Sequence, residues 1–119
     1  MEFITFDTAK EYLRVDSSDE DNLIRLLADS AEKLCIDVAR LSPEDVAELG
    51  RVETDDDGNV LSVRTDAYTP DEVVHIRELM RIAELYALGY LYEHREEADH
   101  HGLTLTLRSL LFSIREGVV

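Results

Sequence analysis

The stretch RELMRIAELYALGYLYEHREEAD, residues 77–99, constrains this chain more than any other part of it. Between Leu79 and Tyr92 only Arg81 and Glu84 carry charge, while Leu79, Met80, Ile82, Ala83, Leu85, Tyr86, Ala87, Leu88, Tyr90, Leu91 and Tyr92 leave no wide polar face. A helix that is apolar nearly all round either lies in the centre of a core or also packs against a neighbouring subunit. The HREEAD sequence that follows marks its return to water.

The residues ahead of it also read as helices. Phe6, Ala9, Tyr12 and Leu13 recur at helical spacing, with Thr5 as N-cap and Asp7 in the first turn. Val15 to Ser18 breaks that short helix. Ser18, followed by Asp19, Glu20 and Asp21, is the expected start of the next, its hydroxyl capping and the acids complementing the helix dipole. From there Ile24, Leu27, Ala31, Leu34, Val38 and Leu41 step by three and four, and Leu23, Ala28 and Cys35 widen the stripe. Ser42-Pro43-Glu44-Asp45 predicts a further helical turn or two before Gly50.

RVETDDDGNVLSVR then interrupts the helical pattern. Asp57-Gly58 and Gly58-Asn59 tolerate the positive φ of a tight turn, so residues 51–64 read as a small β-hairpin with Asp55, Asp56 and Asp57 projecting at its tip. Thr69-Pro70-Asp71-Glu72 is a capping box with proline at the first helical position. The long helix is expected to run from Pro70 to about Asp99, with Gly102 as its stop. Leu107, Leu110, Leu111 and Ile114 give a short amphipathic C-terminal helix ending near Gly117, and LTLTL at 103–107 fits either its first turns or an extended lead-in. The expectation is a single mainly α domain over residues 1–119, a small bundle of about four helices with a β-hairpin insertion near 51–64.

The net charge is −15, and residues 41–72 alone hold ten acids against two arginines. Such a surface repels phosphate backbones and argues against ordinary nucleic-acid binding. It also serves solubility with no further purpose. The longest apolar run, LYALGYLY at 85–92, is too short to span a bilayer. The opening residues form no basic, apolar leader, and a lone Cys35 fits a reducing compartment, so the cytoplasm is expected.

Catalytic patterns are weak. Glu72-Val-Val-His75 and Glu97-Ala-Asp-His100 match the ExxH spacing of carboxylate-bridged metal sites, but on one helix roughly 37 Å would separate them at 1.5 Å per residue. His94, Glu97, Asp99, His100 and His101 form a denser group. Adjacent histidines beside a helix-breaking glycine suit tetrahedral ligation poorly, and a solvated helix end accounts for them better. Cys35 sits mid-stripe, in a packing position rather than beside a histidine. With no phosphate loop, GxSxG or CxxC, neither enzymatic activity nor a cofactor or metal is expected.

Three stretches together resemble the head–tail connector (adaptor, head-completion) family of tailed phages and prophages. ITFDTAKEYLRVDSSDEDNLIRLLADSAEKLC at 4–35 is similar to that family's opening, a short Thr-capped helix, a "yLrvd" turn and an acidic start to a long apolar helix. ELYALGYLYEHREEAD at 84–99 resembles its alanine- and tyrosine-rich helix, and LTLRSLLFSIREG at 105–117 its closing helix. They occur in the family's order and cover roughly two-thirds of the chain; the segment 42–69 departs from the pattern, and nothing is carried over to it. The resemblance implies a structural, non-catalytic homo-oligomeric ring beneath the portal. DNA would pass through it without specific binding, and it would contact the portal protein and the next tail component. It would be found in the host cytoplasm during assembly and at the virion head–tail junction.

On that reading Tyr86, Gly89, Tyr90 and Glu93 are candidates for the subunit interface, most of the tyrosines being accounted for by core packing and one by subunit contact. Asp55, Asp56 and Asp57 form a candidate lumen or partner-facing loop, and Arg108 and Arg115 are candidate portal or tail contacts. Two other readings stay open: an acidic interaction module, such as a DNA mimic or inhibitor, that binds a basic partner, and a metal-binding helical protein using His94–His101. Leu27→Asp or Leu34→Asp is expected to unfold the domain, whereas neutralising Asp55, Asp56 and Asp57 should leave stability almost unchanged.

Overall fold

The computed structural model describes residues 2–96 and 99–117. Six helices and one hairpin follow in the order α1 (Phe6–Leu13), α2 (Asp21–Ala39), α3 (Pro43–Leu49), β1 (Val52–Thr54), β2 (Val60–Val63), α4 (Pro70–Glu93), α5 (His101–Leu110) and α6 (Phe112–Arg115). The mainly α architecture with a hairpin insertion is the one expected.

Local chemistry explains most of the boundaries. Thr5 caps α1 by accepting the Thr8 N–H at 3.0 Å. Ser42 and Asp45 form a reciprocal capping box at α3, as Thr69 and Glu72 do at α4, each with proline just inside the helix. Ser18, in contrast, does not cap α2. That helix begins at Asp21 after Glu20, with no side-chain cap. The Glu20 carboxylate is engaged elsewhere, accepting from the Tyr92 hydroxyl at 2.6 Å and from Arg95 Nη1 at 3.0 Å.

That same anchor turns the chain at the end of α4. The helix stops at Glu93 rather than near Asp99, and His94 leaves helical geometry while its ring stacks on Tyr90. Gly102 is not a stop either. It lies exposed in the first turn of α5, where Leu103, Leu107 and Leu111 recur every four residues and bury one face, so LTLTL is helical.

The core is one cluster in which α2 and α4 form the main pair. On α2 the fully buried positions are Ile24, Ala28, Ala31 and Cys35; Leu27 and Leu34 lie on the flank, half-buried. The expected leucine seam is therefore rotated toward the alanines, because small side chains let α4 approach closely. On α4 the buried face is Val73, Ile76, Arg77, Met80, Ala83, Glu84, Ala87 and Leu88. The hairpin pairs antiparallel, Val52 with Val63 and Glu53 with Ser62, and an irregularity follows at Thr54.

Candidate functional site

α1 ends in a left-handed turn at Arg14, where φ is 59° and ψ 42°, and the Val15 N–H closes it on the Lys10 carbonyl at 3.0 Å. This turn sets α1 against the C-terminal half of α4 and brings the Tyr12 ring over Gly89. A Cβ at position 89 would lie 3.1 Å from Tyr12 Cε2, so the close approach that the glycine permits is made within this chain. The two helices enclose a surface cleft of about 530 Å³ lined by Tyr12, Arg14, Tyr86, Gly89, Tyr90, Glu93 and His94 among others. All four residues expected at a subunit interface, Tyr86, Gly89, Tyr90 and Glu93, line this one cleft. Tyr86 is 42% exposed, Glu93 is exposed, and Tyr90 is half-buried.

Tyr90 stands between two histidines. The His94 ring stacks on it at 4.1 Å and the His100 ring meets its edge at 5.7 Å. His94 Nδ1 lies 2.9 Å from the Tyr90 carbonyl, which can only accept, so Nδ1 carries the proton in that contact. Glu97, part of the sequence's metal-like group, lies outside the described residues. Among the described residues no three His, Cys, Asp or Glu side chains converge on a point where a metal ion could sit.

The acidic tip is built differently from a projecting aspartate triplet. Asp55 turns inward on its own loop, accepting the Asp57 N–H at 3.0 Å, the Asn59 N–H at 2.8 Å and the Asn59 amide at 3.2 Å. The Asn59 backbone N–H, with the other donors, holds its carboxylate below the usual aspartate range. Gly58, at φ 87°, closes the turn. Arg81 then fastens the tip to α4 by donating to the Asp57 carbonyl at 3.1 Å and to Asn59 Oδ1 at 3.4 Å. Asp56 and Asp57 remain exposed. The two C-terminal arginines separate as well: Arg108 is exposed, whereas Arg115 donates to the Val38 carbonyl at 3.0 Å and ties α6 to α2.

Two buried ionisable groups were not anticipated. Arg77, 4% exposed, donates to the Leu49 carbonyl at 2.9 Å and the Glu2 carbonyl at 3.2 Å and lies under the Phe3 ring, stapling the N-terminal strap to α4. Glu84 is fully buried, and neither carboxylate oxygen has a hydrogen-bond partner among the described residues. Burial, reinforced by the charge of Glu32, pushes its carboxyl up to about 9, so it is protonated at neutral pH. Helical phase was the available signal, since residues 77 and 84 fall on the stripe that also holds 73, 80 and 87. Burial raises the Cys35 thiol far above its ordinary range too, which suits packing and not nucleophilic chemistry.

No helix among the described residues is long and apolar enough to cross a membrane. No known protein-family description, no curated protein and no solved structure matches the chain.

Proposed function

We propose that this protein is a head–tail connector: a structural subunit that assembles into a ring beneath a phage or prophage portal and joins head to tail around the DNA channel. The observation that carries the reading is the second face of α4. Its inner face closes the core, yet on the outer face Ile82 is 56% exposed and Tyr86 42%, with half-buried Leu85 between them. An exposed apolar row on a chain this acidic is an assembly surface in waiting. The family resemblance of residues 4–35, 84–99 and 105–117 supplies the kind of assembly. The net charge of −15 suits a channel that DNA must cross without being held.

The test is negative-stain microscopy and co-sedimentation of the protein with its cognate portal. Rings on the portal are the expected result. Failure to bind the portal, with no rings in isolation, would sink the proposal. A small complex with a basic protein, displaced by DNA, would point instead to an acidic interaction module.

A further inference from the structure

We propose, on the footing of the ring reading, that the outer face of α4 around Glu78 receives the exposed face of α5–α6, centred on Arg108, from a second copy of this chain. The first observation is the make-up of the α4 face. Val74, Glu78 and Ile82 lie at successive four-residue steps on one side of the helix, with Val74 37% and Ile82 56% exposed. Glu78 lines two small clefts. One, of about 160 Å³, lies against Gly58, Asn59 and Val60 of the hairpin, and the other, of about 240 Å³, beside Ile82 and Leu85. The face therefore runs apolar, acidic, apolar, with a hollow on either side of the acid.

The second observation is a surface of opposite charge and the same order. Leu103, Leu107 and Leu111 are buried on one side of α5–α6, which leaves Leu105, Arg108 and Phe112 on the other. Leu105 is 49% and Phe112 57% exposed, and Arg108 between them is exposed too. Neither charge is used within the chain: among the described residues Glu78 and Arg108 make no ion pair, hydrogen bond or ring contact. Arg81, which lines both clefts, is held by the hairpin tip and leaves Glu78 open.

The spacing fits as well. Val74 and Ile82 are about 12 Å apart along their helix, and Leu105 and Phe112 about 10 Å. Glu78 can thus meet Arg108 while Leu105 and Phe112 enter the two hollows. Residues 100–119 hold two arginines against one acid in a chain of net charge −15, so their approach to an acidic face is attractive where most of the surface repels. The two surfaces share no residue. Such a contact is heterologous, and it propagates around a ring and does not stop at a two-fold dimer.

The experiment compares sedimentation velocity and thermal melting of the full chain with those of Glu78→Arg, Arg108→Glu and the chain carrying both substitutions. Both positions are exposed, so each variant should melt within about 3 °C of the native protein. Each single reversal sets like charges face to face and should weaken self-association by at least about tenfold. The double reversal restores an opposite pair at every contact and should recover association to within about threefold of native. A general charge effect would not give this pattern, because the two single substitutions change the net charge in opposite directions.

Single variants that associate like the native chain, or a double variant as weak as either single one, overturn the contact while leaving rings formed by the native chain intact. Loss of portal binding by Glu78→Arg with unchanged self-association overturns it too, and gives the face to the portal. A native chain that is monomeric up to about 1 mM overturns the second-copy occupant, and portal binding then decides the ring reading separately.

Discussion

Tyr12 sits in the space that a side chain at position 89 would require, its Cε2 3.1 Å from where a Cβ would be. Two opposed effects meet there. Alanine in a helix interior is about 1 kcal/mol better than glycine, but the ring must yield by a few tenths of an ångström. Tyr12 is 49% exposed and can do so. Gly89→Ala alone should therefore change stability by less than about 0.5 kcal/mol, and in a Tyr12→Ala background it should stabilise by about 1 kcal/mol. Equal effects of Gly89→Ala in both backgrounds, measured by urea denaturation, would show that the two residues are not coupled.

Gly102 offers a cleaner decision between two geometries. A glycine that stopped a helix in the left-handed conformation would resist substitution. Here it lies in the first turn of α5 with nothing within 4 Å of a would-be Cβ. Gly102→Ala should raise stability by about 0.5–1 kcal/mol. A loss of stability would place the helix end where the sequence suggested.

The three tip aspartates should no longer behave alike. Asp55→Ala removes the acceptor for two backbone N–H groups and should loosen the hairpin, seen as faster amide exchange at Asp57 and Asn59. Asp56→Asn and Asp57→Asn should leave that exchange unchanged. Because these donors lower the Asp55 carboxyl in the folded chain, its contribution is present above the ordinary aspartate range and is lost as pH falls through its folded value. Protection that persists in Asp55→Ala would mean that Arg81 alone holds the tip.

Where the chain's reading succeeded, the determinants are local. Thr5, Ser42-Pro43 and Thr69-Pro70 cap helices with side chains one turn away, and Asp57-Gly58-Asn59 turns on its own dihedrals. It failed where a distant residue decides. Ser18 loses the capping role because Glu20, pinned by Tyr92 and Arg95, fixes where α2 begins. The end of α4 moves for the same reason. The cleft was half legible, since Tyr86, Gly89, Tyr90 and Glu93 share one helical face. Tyr12 and Arg14 join it only through the path of α1, which no spacing within α4 reports.

The rotated seam of α2 makes a ranking testable by circular dichroism melts. Ala28 is fully buried against the core, so Ala28→Asp places an unpaired charge there at a penalty of several kcal/mol and should unfold the domain. Leu27 sits at the flank, where a new carboxylate can reach water. Leu27→Asp should leave a folded protein weakened by about 1–3 kcal/mol, contrary to the expectation from the leucine pattern. Unfolding by Leu27→Asp with survival of Ala28→Asp would reverse the packing assignment.

Glu84 turns burial into a pH dependence with a definite sign. The folded chain holds this proton up to about 9, while the unfolded chain releases it near the ordinary value of 4.5. Between those values the folded state binds more protons than the unfolded one, so stability falls as pH rises through the window. Glu84→Gln keeps the shape and cannot ionise, which removes that dependence. The stability of Glu84→Gln relative to the native protein should therefore improve by about 3 kcal/mol between pH 5 and pH 7. Other titrating groups cancel in this comparison, since they are common to both proteins, so urea denaturation at the two pH values isolates the one carboxyl. A difference that stays constant with pH would mean that Glu84 reaches solvent or a partner charge when folded, and that the centre of α4 is not the sealed core described above.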